Sequence, residues 1–184
     1  MTNKFMDMDH DALVRYINRL NEDADGIQRA LNIFIRLKNE IMYDSIKKSE
    51  QFASETLVMG RGNNFSKNNL LCTILQLSGY DCQLRYKKVI DNTKWLFSRN
   101  GKAIPWYYVR VDYNGTAVNL ECSFDRSFMS AAGIVQKRDK LDYELENYYV
   151  ANGRVFDVIN DPFEPEVKAA KLGICEFGGN RLCL

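Results

Sequence analysis

The spacing of apolar residues changes period at Gly79, and that change constrains the fold more than any other feature of the sequence. Before it, apolar residues recur every three or four positions. Leu13, Ile17 and Leu20 predict a first helix, and Ile27, Leu31, Phe34, Ile35, Ile41 and Met42 predict a longer amphipathic one. A shorter helix is expected from about Ser49 to Val58, ended by Gly60-Arg61-Gly62. The next begins near Asn63-Asn64 and stops at Gly79. Its Leu70, Leu71, Ile74, Leu75 and Leu77 cover so wide an arc that it is expected to be buried on most sides.

After Gly79 the period becomes two. Cys82, Leu84 and Tyr86 alternate with polar residues, and so do Tyr107, Val109, Val111 and Tyr113. Asn114-Gly115 is a strong hairpin signal that returns the chain along Thr116 to Glu121. A second hairpin is expected around Asn100-Gly101, between Trp95–Phe97 and Ala103-Ile104. Phe124–Ala132 and Gln136–Tyr148 read as helices, Arg154–Ile159 as a short strand, and Leu172–Leu184 as an edge strand. Helices first and an antiparallel sheet second make an α+β chain, and no linker divides residues 1–184.

Composition narrows the function classes. A net charge of +1 supplies no bulk field for nucleic acid or an acidic membrane. No apolar run approaches the roughly 20 residues that span a bilayer, and the polar, acidic start lacks a signal-peptide pattern, so a cytoplasmic protein is expected. The five cysteines, Cys72, Cys82, Cys122, Cys175 and Cys183, are widely spaced, and His10 is the only histidine. That pattern predicts free thiols, no metal site and no cofactor.

From Ala30 to Asp125 two stretches carry a family resemblance. The first runs Arg36-Leu37-Lys38-Asn39-Glu40-Ile41-Met42-Tyr43-Asp44, then Ala53-Ser54-Glu55-Thr56-Leu57, Gly60-Arg61-Gly62, Lys67, Leu70-Leu71, Ile74-Leu75 and Gly79. The second runs Trp106-Tyr107-Tyr108-Val109-Arg110-Val111, the Asn114-Gly115 turn, then Leu120-Glu121-Cys122-Ser123-Phe124-Asp125. Together they resemble transglutaminase-like domains of the papain-like cysteine fold. The resemblance implies a helical N-terminal lobe packed on an antiparallel sheet. In its register the nucleophilic Cys falls on Asn64, the His on Trp106 and the orienting Asp on Glu121.

In that family the thiolate sits at a helix N-terminus, where the dipole favours its charge. It attacks an amide carbonyl while His shuttles the proton and the acid orients the imidazole. An Asn amide is no comparable nucleophile, and an indole has no lone pair for base catalysis. Papain-type acyl transfer is therefore expected to be lost.

Each replaced position has a plain alternative. Asn64 reads as a helix N-cap or as a donor to a ligand, Trp106 as core packing or an aromatic wall with Tyr107 and Tyr108, and Glu121 as a surface residue or a base. Arg61 with Asn63 and Asn64 is a candidate anion cluster. Three functions follow from the resemblance. One is a pseudoenzyme binding a peptide or amide-containing ligand in the inherited groove through Arg61, Asn63, Asn64, Trp106, Tyr108 and Glu121. Another is a tailoring enzyme acting on a small amide or acyl substrate without cysteine. The third is an interaction protein with a filled groove.

Overall fold

The computed structural model describes residues 3–20, 24–46, 50–93, 102–137, 143–160 and 162. The expected hairpin around Asn100-Gly101 and the expected edge strand at Leu172–Leu184 lie outside these residues.

The helical lobe comprises α1 (Asp11–Asn18), α2 (Gly26–Glu40), α3 (Ala53–Met59) and α4 (Asn64–Leu77). His10 caps α1, its Nδ1 accepting from the Ala12 N–H at 3.2 Å. Between α2 and α4 run β1 (Met42–Tyr43) and β2 (Arg61–Gly62), a short parallel pair. Gly60 ends α3 in the left-handed region at φ +64°. Gly62 is there for a different reason. A Cβ on it would lie 3.0 Å from both the Ser66 Cβ and the Thr56 methyl carbon, so only a bare backbone passes between α3 and α4.

The sheet contains β3 (Asp81–Asp91), β4 (Ile104–Tyr113), β5 (Thr116–Leu120) and, after the turn at α5 (Arg126–Ala132), β6 (Ile134–Gln136), β7 (Tyr148–Val150), β8 (Gly153–Arg154) and β9 (Phe156–Asn160). The main antiparallel sheet has the order β5-β4-β3-β9, and β6-β7-β8 form a second one. Gln136–Tyr148, expected to be helical, is different: it opens with the end of β6, contains a 3-10 turn at Leu145–Asn147 and enters β7. The left-handed Gly133 stops α5, and Ile134–Gln136 then pairs antiparallel with the aromatic and β-branched run Tyr148–Val150.

The helix α4 is the centre of the molecule. Leu70, Leu71, Cys72, Ile74 and Leu75 are fully buried and share one core with Ile33, Phe34 and Leu37 of α2 and Val109 and Val111 of β4. Its polar residues Ser66, Lys67, Asn68, Asn69 and Thr73 are buried as well. A second core of Tyr43, Trp106, Phe124, Leu145, Tyr148 and Phe156 lies beside it.

Gly62→Ala is expected to destabilise the chain by about 1–3 kcal/mol through overpacking against Ser66 and Thr56. A urea unfolding curve with an unchanged midpoint would contradict this.

Candidate functional site

Asn63, not Asn64, caps α4: its side chain accepts from the Ser66 N–H at 2.9 Å. This corrects the expectation that Asn64 serves as the cap. Asn64 is the first helical residue, and its side chain is thereby free to reach sideways to the sheet.

What it meets there is backbone. The strand β5 ends with Leu120 opposite Val109, so nothing from β5 continues alongside Tyr107. Asn64 fills that gap. Its Oδ1 accepts from the Tyr107 N–H at 2.7 Å, and its Nδ2 donates to the Tyr107 carbonyl at 3.0 Å and to Ser123 Oγ at 2.8 Å. A carboxamide has one acceptor and two donor hydrogens, which suits it to stand in for a peptide unit at a strand edge. One helical turn on, Asn68 repeats the device. Its Oδ1 accepts from the Cys122 N–H at 2.9 Å, while Nδ2 donates to the Asn64 carbonyl at 2.9 Å and to Ser123 Oγ at 3.2 Å. Two amides four residues apart thus extend the ladder where the strand has stopped.

Glu121 is fully buried, so the surface reading fails for it. Its Oε1 accepts from the Ser123 N–H at 2.9 Å and lies 3.5 Å from Asn68 Nδ2. Its main-chain carbonyl accepts from the Tyr148 hydroxyl at 3.1 Å. That hydroxyl in turn accepts from Lys38 Nζ, which also donates to Gln136 Oε1 at 3.1 Å. Burial pushes the Tyr148 phenol well above its ordinary range, and the Glu121 carboxylate adds to the shift. The same two causes raise Tyr43.

Trp106 is 2% exposed, and its ring packs on Phe156 at 4.5 Å and Phe124 at 5.5 Å. Strand alternation turns Tyr107 the other way, against Phe65 of α4 at 5.0 Å. Asn64 and Trp106 therefore do not face each other across a groove, and the residue on β4 that engages Asn64 is Tyr107, through its main chain. Tyr108 is also 2% exposed, with Lys87 Nζ 5.0 Å above its ring. Of the predicted site residues only Arg61, on β2, is exposed, and Asn63 is half-buried.

Lys67 anchors the other side of α4. Its ammonium is buried and donates to the Lys38 carbonyl at 3.0 Å and to that of Ile41, at the C-terminal end of α2. Those carbonyls lack intrahelical partners and carry the negative end of the dipole. Burial still lowers the Lys67 pKa, because those partners are dipoles and not full charges.

Sequence reasoning missed Asn68, Ser123, Tyr148 and Lys38, and it weighed Tyr107 for its ring and not for its main chain. The legible signals were Asn64 and Asn68 four apart on one helix face, and Glu121 and Ser123 two apart just past the end of β5. Tyr148 and Lys38 arrive from distant elements and leave no spacing to read.

Cavities lined by described residues lie to the sides of this cluster. One of about 580 Å³ is walled by Asn3, Phe65, Gln76, Cys82, Leu84 and Tyr107, and one of about 330 Å³ lies between α2 and α5. No group of three or more His, Cys, Asp or Glu among the described residues is placed to hold a metal. No helix among them is long and apolar enough to cross a membrane.

Asn64→Ala would strand the Tyr107 N–H and carbonyl and remove a donor from Ser123. A loss of about 2–4 kcal/mol is expected in urea unfolding. The fully buried Cys122 thiol is raised from 9.0 to about 11, chiefly by burial. The folded state then holds that proton more tightly than the unfolded chain. Its contribution is fully present below pH 9 and is lost as pH rises through about 11. Unfolding curves at pH 8 and pH 11 are expected to show that decline, and Cys122→Ala to make it smaller, the raised Tyr43, Tyr148 and Cys72 supplying the rest.

No protein-family model matches the chain, and neither does any curated protein. Solved structures do. A protein of Cytophaga hutchinsonii described as a candidate cysteine protease superposes with a TM-score of 0.52 at 11% identity over 67% of this chain. This chain spans 40% of that protein's length. A candidate protease of Parabacteroides distasonis gives 0.45 at 14% identity, over 65% of this chain and 26% of the other. The arylamine N-acetyltransferase NAT3 of Bacillus cereus, with its Cys-His-Glu catalytic triad, gives 0.47 at 15% identity, over 95% of this chain and 78% of the other. At this identity the likeness to the Cytophaga protein speaks for the fold alone: the chain has an α+β, transglutaminase-like (papain-like) core, with a helical N-terminal lobe packed on an antiparallel sheet.

Proposed function

We propose that this chain is a pseudoenzyme, a papain-like core without cysteine acyl transfer, in which the inherited catalytic position has become a structural joint. One observation carries the reading. The Asn64 amide spends both donor hydrogens and a lone pair of its oxygen on the Tyr107 main chain and Ser123, and a carboxamide held this way offers a substrate neither a nucleophile nor a free N–H donor. The chemistry of the rest agrees. The chain's only histidine is His10, whose Nδ1 is engaged as the cap of α1. Glu121 is 0% exposed, which also weighs against a tailoring enzyme that would use it as a base on a small amide or acyl substrate.

With Asn64, Trp106, Tyr108 and Glu121 enclosed, the filled-groove interaction protein is the form of this reading that the burial favours. A second form keeps a peptide or amide-containing ligand. It is favoured by the cavity of about 580 Å³ that opens beside Phe65 and Tyr107, the neighbours of Asn64 on α4 and β4. An extended peptide there would meet the Tyr107 ring and the polar ends of Gln76 and Gln83 rather than Arg61 and Asn63.

The test is a pulse of iodoacetamide on the native chain from pH 5 to 9, with each of the five cysteines read by mass spectrometry. Slow labelling of all of them below neutral pH is expected. A single cysteine that labels fast below pH 7 would reveal a relocated nucleophile and sink the proposal.

A further inference from the structure

Two buried thiols lie outside the joint and take no part in it. Cys72 is on the third turn of α4, and Cys82 is the second residue of β3. Their sulfur atoms are 3.8 Å apart, in van der Waals contact, and the Cys82 Sγ also lies 3.6 Å from the Cys72 carbonyl. The intervening turn is itself pinned. Gln76 Nε2 donates to the Cys82 carbonyl at 2.9 Å, and the Tyr80 N–H donates to the Leu75 carbonyl at 3.0 Å. The pair therefore meets because the backbone brings it together, and not through a passing side-chain rotamer.

The two thiols are not equivalent. Cys72 is 0% exposed and is walled by the apolar core. Its hydrogen bond with Cys82, and then burial, push its pKa far up, so it does not start thiol chemistry. Cys82 is 3% exposed but forms part of the wall of the cavity of about 580 Å³, next to the exposed Asp81 and Gln83. Of the two residues, Cys82 is the one that borders this cavity.

We propose that Cys72 and Cys82 form an oxidation site, at which a low-molecular-weight disulfide of the glutathione type converts the pair into an intramolecular disulfide joining α4 to β3. The Cys82 thiolate attacks one sulfur of the reagent, forming a mixed disulfide and expelling one thiolate. The Cys72 thiol then gives up its proton and attacks the Cys82 sulfur, forming the Cys72–Cys82 bond and expelling the second thiolate. Two protein thiols are oxidised and one reagent disulfide is reduced to two thiols, with the two protons passing to those products. The bond would tie the helix that carries Asn64 to the strand that pairs with β4, and so fix the joint between lobe and sheet.

Native reduced chain, freed of reductant, is incubated with oxidised glutathione at pH 8, quenched in acid, alkylated and mapped by peptide mass spectrometry. A linked Cys72–Cys82 peptide is expected as the main product, with both thiols lost together and Cys122 still alkylatable. In Cys82→Ala the oxidation of Cys72 is expected to slow by about tenfold or more, since its entry partner is gone. The wild-type map needs no variant to fold. The proposal is overturned if Cys82 retains glutathione while Cys72 stays reduced, or if neither reacts. It is equally overturned if Cys72 or Cys82 is recovered mainly in other pairings.

Discussion

The structure depends on a helix that is buried on nearly every side and yet half polar. The first half of α4 places Asn64, Ser66, Lys67, Asn68 and Asn69 out of reach of water. A buried amide or ammonium without partners costs several kcal/mol, so the three amides and the ammonium each fix a neighbour in place. Asn64 and Asn68 hold the sheet edge, Lys67 holds the end of α2, and Asn69 donates to the Phe5 carbonyl of the N-terminal segment at 2.9 Å. The apolar second half supplies the burial; the polar first half decides which pieces meet and in what register.

That division gives the residue at the start of α4 a structural role. A residue at a helix start beside a strand edge has two kinds of unsatisfied groups in front of it, the first N–H groups of the helix and the peptide units past the end of β5. A thiol can do little for either. A carboxamide satisfies the strand edge fully, and Asn63 takes the cap. The energetic logic of the joint, with the Asn64 and Asn68 amides paired to main chain and to Ser123, runs against the logic of a catalytic site, which keeps a reacting atom unsatisfied until substrate arrives.

The aromatic core next to the joint closes what space remains. Trp106, Phe124, Phe156 and Tyr43 pack edge to face, tilted or stacked at 4.5–6.4 Å between ring centres, and Tyr148 carries its hydroxyl from this core into the polar cluster. Polar and apolar cores therefore meet at one residue, whose ring and hydroxyl serve different neighbours.

The sequence by itself determined the elements. The helical spacing through Leu77, the alternation from Cys82 to Tyr113 and the Asn114-Gly115 turn all carry local physics, and α1 to α5 and β3 to β5 follow it closely. The identities of Asn64, Trp106 and Glu121, none of them Cys or His, are likewise read directly. Gln136–Tyr148 departs from its helical reading because β6 and β7 form by strand pairing, β7 with both β6 and β8, which local period does not show. Which partners the polar residues take was left to the tertiary structure. Glu121 and Asn64 looked like surface and cap residues because nothing local shows that β5 ends beside them, that Ser123 turns back toward α4, or that Lys38 and Tyr148 arrive from far along the chain. Propensity and period act over a few residues; hydrogen-bond satisfaction in a closed interior is settled only when every element is in place.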